Sequence, residues 1–161
     1  MSGKKIELYL VNGNADELTI AELANWSALG GRISRTEVPT YNREELGQPG
    51  IYMLFVQNDM DKPGVYIGEA ENVKDRLKQH LSREEYWQTA VAFVSPNLNK
   101  ADIRYLENKL VQEAKVCNRY TVLTKTTYSN TVMKESQIAV MDEFSENIRI
   151  LASALGFKVL E

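Results

Sequence analysis

The sequence predicts an α+β (α/β) fold in a single domain spanning residues 1–161. Three observations indicate this class. Short apolar segments with the pattern of strands recur along the chain, polar capping residues introduce two helical segments between them, and a long amphipathic segment lies near the C terminus. A chain of 161 residues is also long enough to bury one sizeable core.

The N-terminal part, residues 1–49, is predicted to be an extension built on a β-hairpin. Residues 6–13 (IELYLVNG) alternate weakly and end in Asn-Gly, which is a turn signal. Residues 18–26 (LTIAELANW) fit either a strand or a short helix, and a hairpin favours the strand. The glycine-rich segment 30–50 is predicted to be a connector with one helical turn near Asn42–Leu46.

The central part, residues 50–125, alternates strand and helix signals. Residues 50–56 (GIYMLFV) are apolar on both alternating faces, which predicts a central strand, and residues 65–68 (VYIG) predict its neighbour. The other predicted elements are a helix capped by Asn72 with Asp75 and running to about Ser82, a strand over 86–94, a helix from Asn99 to about Lys115, and a strand over 119–125.

The C-terminal part, residues 126–161, is predicted to be a helical segment. A long helix is expected over 134–155, and Gly156 is expected to end it. One stripe of this helix is apolar and is formed by Ile138, Met141, Phe144, Ile148, Leu151 and Leu155.

Composition narrows the class of protein. Hydrophobic residues make up 43% and charged residues 25% of the chain, which is ordinary for a soluble globular protein. The single cysteine, Cys117, excludes an internal disulfide and fits a reducing compartment. The chain has no apolar run of about 18 residues that would predict a membrane span. Its first residues lack the apolar core of a signal peptide, so a cytoplasmic location is expected.

Positive charge is concentrated in two stretches, although the net charge is −3. From Lys100 to Lys125 there are six basic and three acidic residues. A nucleic-acid surface would lie in these stretches, but an ordinary solvated helix face explains the charge equally well. The other basic stretch contains Lys74, Arg76, Lys78 and Arg83 against Glu71 and Asp75.

Two tyrosines with flanking glycines stand on the two neighbouring central strands. Tyr52 and Tyr66 are an even number of positions apart, so they share a face of an antiparallel hairpin centred near Asp59. The simplest alternative is a pair of core tyrosines. Gly50 and Gly68 weigh against that alternative, because glycine inside a strand marks close approach by a ligand or another backbone.

The next helix places an arginine and the single histidine of the chain on one edge. Arg76 and His80 are four residues apart, at the border of a stripe expected to be buried. A guanidinium at the edge of a cleft suits a phosphate group. The alternative is an ordinary surface arginine and a partly buried histidine.

A carboxylate interrupts the apolar face of the helix that follows Asn99. Glu107 lies between Ile103 and Leu110 on that face. A buried carboxylate is costly unless it is paired or bound to a metal ion. Two interpretations therefore stay open, an ion pair with Arg76 and an oxygen ligand for Mg²⁺.

Together these residues resemble the motifs of the GIY-YIG nuclease superfamily. The sequence contains GIY at 50–52, YIG at 66–68, Arg76 and His80 in NVKDRLKQH, and Glu107 in RYLENKLVQEA, in the family order. The resemblance covers about residues 50–125. The flanking segments are similar to those of a bacterial and archaeal branch, which has an N-terminal strand extension, a C-terminal helix and often a further C-terminal domain.

The resemblance implies a small central antiparallel or mixed sheet flanked by helices. It also implies an endonuclease that hydrolyses DNA phosphodiester bonds with one divalent ion, Mg²⁺ or Mn²⁺. In that activity Glu107 would hold the metal ion and Arg76 would neutralise charge on the transition state. Tyr52 would be the general base, with its pKa lowered by nearby positive charge, and His80 would help to accept its proton. Tyr66 would bind the phosphate or the attacking water, or would itself be the base.

The basic stretches and the resemblance lead to three further expectations. DNA would be bound by Lys74, Arg76, Lys78, Lys100 and Arg104, and an additional C-terminal domain or partner protein would direct the nuclease to its target.

The family usually has an asparagine near the strand after the metal glutamate. Thr124 occupies that place here, with Asn118 and Asn130 as nearby substitutes. The alternative function is a DNA-binding module or a protein-interaction domain that keeps the fold but has lost cleavage.

Overall fold

The computed structural model describes residues 2–58, 61–82, 86–125 and 132–161. These residues form one sheet of seven strands with helices on both faces. The strands are β1 (Ile6–Leu10), β2 (Thr19–Leu23), β3 (Leu29–Ser34), β4 (Gly50–Val56), β5 (Gly64–Ala70), β6 (Thr89–Val94) and β7 (Thr121–Val122). The helices are a 3₁₀ helix (Arg35–Thr40), α1 (Val73–Gln79), α2 (Lys100–Cys117) and α3 (Glu135–Ala154).

The strand order across the sheet is β1-β2-β3-β6-β4-β5-β7. All pairs are antiparallel except β5 with β7, which is parallel, so the sheet is mixed. This α+β architecture confirms the predicted fold class and is consistent with a GIY-YIG-like fold. The N-terminal hairpin of β1 and β2 is also confirmed, and β3 joins it to β6 in the same sheet.

Each face of the sheet buries its own apolar core. One face packs against α2 and α3, with Ile51 and Ile67 of the sheet meeting Leu106 and Ile148 of the helices. The opposite face packs against α1 and the 3₁₀ helix, and its core includes Tyr52. The central strand β4 is buried on both faces, which explains its continuous apolar sequence.

The prediction for residues 30–50 was wrong in two respects. Gly30 and Gly31 lie inside β3, where a Cβ would be 3.2 Å from the Phe93 ring and 3.1 Å from Leu46, so these glycines make room for side chains packed across the strand. The 3₁₀ helix replaces the expected helical turn, and Glu44–Gly47 forms only a turn, with a Gly47 N–H to Glu44 O hydrogen bond of 3.0 Å.

Several predicted boundaries also shift. Helix α1 ends at Gln79 and β6 begins at Thr89, while the strand expected over 119–125 is reduced to the two residues of β7. Asn72 and Asn99 cap α1 and α2 as predicted, accepting hydrogen bonds from the N–H groups of Asp75 and Asp102. Within the described segments, we find no helix of the length and hydrophobicity that crossing a membrane requires.

Candidate active site

Tyr52 and Tyr66 share the face of the sheet that packs against α1. Tyr52 pairs with Gly68 and Tyr66 pairs with Leu54, so both tyrosines point to the same side. The shared face confirms the prediction. The register places Tyr52 opposite Gly68 rather than opposite Tyr66, and Asp59, the expected hairpin centre, lies outside the described residues. The two rings have centroids 6.2 Å apart.

The two motif glycines allow close approach by other parts of the protein. A Cβ on Gly50 would overlap the carbonyl oxygen of Phe93 on β6, so this glycine brings two backbones together. A Cβ on Gly68 would lie 2.5 Å from the hydroxyl oxygen of Tyr52. Glycine at position 68 therefore lets the Tyr52 ring lie across β5, which fixes where its hydroxyl points.

His80 is joined to Tyr52 by a buried hydrogen bond. The Tyr52 hydroxyl oxygen and His80 Nε2 are 2.9 Å apart, and both residues are buried. His80 is the C-cap residue of α1, and its carbonyl accepts a hydrogen bond from Trp87 Nε1 at 3.4 Å. With Tyr66, these rings form a triangle of centroid distances 6.2, 5.3 and 5.5 Å. A proton can pass directly between the tyrosine and the histidine.

Arg76 contacts both the tyrosine and the strand beside it. Its Nη1 donates to the carbonyl oxygen of Glu69 at 3.2 Å. A hydrogen bond from Arg76 and its positive charge lower the pKa of Tyr52. Burial, followed by the charge of Tyr66, outweighs this effect and raises the pKa of Tyr52 above its ordinary value. Burial therefore acts against the lowered pKa that was expected for Tyr52.

Glu107 reaches the same place from α2, on the other side of the sheet. Glu107 is only 5% exposed, as its position on the apolar face of α2 predicts. Burial and then the negative charge of Glu69 raise the pKa of Glu107 to about 7. A hydrogen bond from the Glu69 N–H and the positive charge of Arg76 oppose that rise. Arg76 therefore compensates the buried carboxylate only in part.

This donor set fits a divalent cation. A buried carboxylate whose pKa is raised close to neutrality gains from a nearby positive charge, and a second carboxylate, Glu69, acts on it directly. Oxygen ligands are those that Mg²⁺ prefers, and Mg²⁺ usually keeps several waters. In the segments that the structure describes, no three His, Cys, Asp or Glu side chains cluster as a metal site.

A cleft of about 320 Å³ opens beside Arg76. Glu69, Arg76 and Lys100 line it, together with Ala70, Glu71, Asn72, Asp75 and Gln79. The predicted DNA contacts thus divide into two groups. Arg76 and Lys100 meet at the cleft, whereas Lys74 lies elsewhere, with its Nζ 5.9 Å from the centroid of the Tyr41 ring.

The remaining predicted DNA contacts do not line the cleft. Lys78 lies one helical turn beyond Lys74 on α1, and Arg104 lies half-buried on α2, one turn before Glu107. Arg83 falls outside the described residues.

Thr124 makes a structural contact at the position where the resemblance predicts an asparagine. It is buried, and its hydroxyl accepts from the Ile67 N–H at 2.8 Å and donates to the Ile67 carbonyl at 2.9 Å. Asn118 caps the C terminus of α2 in a left-handed conformation (φ 55°) and accepts a hydrogen bond from Lys62, so it is engaged elsewhere. Asn130 lies outside the described residues.

Sequence reasoning missed Glu69. Its neighbour Gly68 faces Tyr52, so strand alternation turns Glu69 toward α2, where its backbone and charge act on Glu107. Its position directly after the YIG motif was the available signal.

Comparison with known proteins gives one partial similarity. The chain is 39% identical over 89 residues to the UvrABC system protein C of Aquifex aeolicus (strain VF5), a match that covers 44% of this chain. The match covers 15% of that relative, so the similarity concerns a small part of it. No family model matches the chain. No solved structure matches it significantly.

Proposed function

We propose that this protein is a divalent-metal-dependent endonuclease that hydrolyses DNA phosphodiester bonds. The observation that carries the proposal is the hydrogen bond between Tyr52 and His80. Arg76 lies beside this pair, and the charge of the buried Glu107 acts on the Tyr52 hydroxyl. These are the motif residues on which the resemblance to the GIY-YIG superfamily rests. The part-length similarity to the UvrABC system protein C supports a nuclease-related role in DNA processing.

Each residue of the site would have its own role in the reaction. Tyr52 takes the proton of the attacking water and passes a proton to His80 through their 2.9 Å contact. Because burial raises the pKa of Tyr52, His80 has to accept the hydroxyl proton before or as Tyr52 acts as a base. Tyr66 contacts the phosphate or the water. Arg76 neutralises the charge that develops on the phosphate oxygens.

Glu107 would hold the single divalent ion, Mg²⁺ or Mn²⁺. When bound, this ion would polarise the phosphate and stabilise the leaving oxygen. Burial of Glu107 favours this role, because a carboxylate held away from water keeps its charge at neutral pH more easily with a cation beside it. The proposed location is the cytoplasm, which fits a chain with a single cysteine.

Plasmid nicking with Mg²⁺ or Mn²⁺ tests the proposal. The wild type should convert supercoiled to open-circular DNA, whereas Glu107→Gln should not, and Arg76→Ala should lower the rate roughly a hundredfold or more. Glu113→Gln, on the same helix and half-buried, is the matched control and should nick like the wild type. Nicking by Glu107→Gln at the wild-type rate would remove the metal assignment.

The contact of Thr124 with Ile67, at the position where the resemblance expects an asparagine, favours a second candidate, a DNA-binding module that does not cleave. Binding of duplex DNA without nicking in either metal would select it. Neither binding nor nicking would select a protein-interaction domain that keeps the motif residues as part of its core.

A further inference from the structure

Strand β1 is an edge of the sheet whose backbone is open to pairing. It is the first strand in the order across the sheet, and β2 pairs with it on one side. Lys5 and Val11, which flank β1, both form backbone hydrogen bonds to the β2 side. Because such bonds alternate along an antiparallel pair, the N–H and C=O groups of Ile6, Leu8 and Leu10 point away from β2. An edge of this kind is a template for a further strand.

The side chains of β1 are apolar on both faces, although both faces are exposed. Leu8 and Leu10 are 49% and 36% exposed on one face, and Tyr9 is 59% exposed on the other. Edge strands that stay in solvent usually carry lysine, proline or a bulge, which prevent pairing with another chain. The only charged residue of β1 is Glu7. The strand therefore has the composition of one that is paired on both sides.

The residues of β1 match a second copy of the same strand in one antiparallel register. A two-fold axis at Leu8 places this residue opposite its own copy and Ile6 opposite Leu10, so the apolar side chains of one face meet each other. Glu7 then lies opposite Tyr9. An axis at Glu7 would place two carboxylates opposite each other, which is destabilising. Only the axis at Leu8 pairs all five residues of β1.

We propose that two copies of this chain associate through β1, edge to edge, about a two-fold axis at Leu8. A second copy fits this edge because the strand is complementary to itself, as a two-fold interface requires. One five-residue strand makes a small interface, so the dimer should be reversible and depend on protein concentration. The inference does not depend on the proposed function. Four strands separate β1 from β5, so the candidate active site stays outside the interface.

Sedimentation velocity of the 161-residue chain at several concentrations tests the association. The wild type should shift from monomer to dimer as the concentration rises. Leu8→Pro removes an N–H group that points away from β2, so β1 should stay in its own sheet. The dimer should weaken about tenfold or more, because the two-fold axis makes each copy lose a hydrogen bond.

A pair of lysine substitutions separates this edge from exposed apolar side chains in general. Leu8→Lys keeps the backbone groups of β1 and places two ammonium groups opposite each other, so it should also weaken the dimer. Val116→Lys is the matched control, since Val116 is an apolar residue of α2 that is 85% exposed. This control should dimerise like the wild type.

Disulfide cross-linking tests the register. Glu7→Cys and Tyr9→Cys are each made with Cys117→Ser, which removes the native thiol. Residues 7 and 9 of the two copies would form a non-hydrogen-bonded pair with Cα atoms about 4.5 Å apart, which a disulfide can bridge. A mixture of the two variants should therefore cross-link under mild oxidation. Either variant alone should cross-link far less, because its two cysteines would be diagonal neighbours about 7–8 Å apart.

The results that would overturn the inference are specific. A wild type that stays monomeric at every concentration would exclude association through β1. Dimers of unchanged strength in Leu8→Lys would place the interface elsewhere, and this variant decides the question if Leu8→Pro fails to fold by circular dichroism. Cross-linking of Glu7→Cys alone, without cross-linking of the mixture, would exclude the axis at Leu8.

Discussion

Tyr52 serves the fold and the proposed chemistry with the same atoms, and the two roles make opposite demands. Its ring fills space over Gly68 in the core, and that burial raises the pKa of its hydroxyl. A general base needs the deprotonated form, which burial disfavours. The hydrogen bond to His80 is what reconciles the two roles, since it offers the proton a place to go.

Tyr52→Phe separates these roles. The substitution keeps the ring and removes the hydroxyl, so nicking should nearly stop while the fold survives. Tyr66→Phe is the matched comparison, on the same face with its ring centroid 6.2 Å away. Nicking rates and circular dichroism spectra of both variants provide the test. An inactive Tyr66→Phe beside an active Tyr52→Phe would exchange the two assignments, and unfolding of Tyr52→Phe would support the core interpretation.

Glu107 makes the stability of the metal-free protein depend on pH. Burial raises the pKa of Glu107 from its ordinary value of 4.5 to about 7 in the folded chain, so the folded state favours the protonated form. Stability from this group is fully present below about pH 4.5, falls as the pH rises, and is lost above about pH 7.

Glu107→Gln should remove this loss, because the amide carries no charge to bury. In EDTA at pH 8 the variant should be more stable than wild type by on the order of 1 to 3 kcal/mol, and near pH 4.5 the two should be equal. Urea unfolding at both pH values measures the difference. The same difference at both pH values would mean that the carboxylate charge is not the cause.

The residues of the site were predictable where local periodicity decides their direction. An even separation puts Tyr52 and Tyr66 on one face, and a four-residue spacing puts Arg76 and His80 on one side of α1. Glu69 was not predictable in this way, because its importance comes from α2 packing against β5 across more than thirty residues of sequence. The pKa of Tyr52 was also beyond the sequence, since it depends on how completely other groups exclude water.

At the scale of elements, glycines caused the main error. Gly30 and Gly31 suggested a connector, yet they belong to β3, where they accommodate Phe93 and Leu46. Composition does not distinguish a glycine that loosens the chain from one that admits a neighbour's side chain. The helices were easier, because Asn72 and Asn99 mark their starts with capping side chains that act locally.

Strand β7 shows an element completed by one side chain. It pairs with β5 only at Gly64 and Val65. Beyond that pairing, the Thr124 hydroxyl accepts a hydrogen bond from the Ile67 N–H and donates one to the Ile67 carbonyl. Thr124→Val keeps the shape and removes these bonds, leaving buried backbone groups without that partner. It should destabilise the fold by about 1–3 kcal/mol in urea unfolding, and Thr124→Ser should restore most of the loss. Equal stability of Thr124→Val and the wild type would show that the hydroxyl contributes nothing to the free energy of unfolding.

At the scale of the whole molecule, the residues of the site come from opposite faces of the sheet and meet at its edge. Tyr52, Arg76 and His80 come from the side of α1, and Glu107 comes from the side of α2. They meet at the end of β5 beyond the short pairing with β7. Only two of the five predicted DNA contacts, Arg76 and Lys100, line the cleft there. The site therefore offers DNA few positive contacts.

We expect weak binding of DNA, with a shallow dependence on salt, from this small positive surface. Each phosphate contact contributes about −0.9 to the salt slope of duplex binding, so a handful of contacts gives a shallow slope and a Kd on the order of 10⁻⁴–10⁻⁶ M at physiological salt. Titrations on several unrelated duplexes at two salt concentrations measure both quantities. We expect little sequence preference, with targeting supplied by an additional domain or partner.

Two variants locate the contacts. Lys100→Ala should reduce the salt slope by about one contact, whereas Lys74→Ala, whose ammonium group lies against Tyr41 outside the cleft, should leave it unchanged. An unchanged slope in Lys100→Ala would move the DNA away from the cleft. Tight and sequence-selective binding by the 161-residue wild type would refute targeting by another domain, because the cleft beside Arg76 has too few cations to account for such binding.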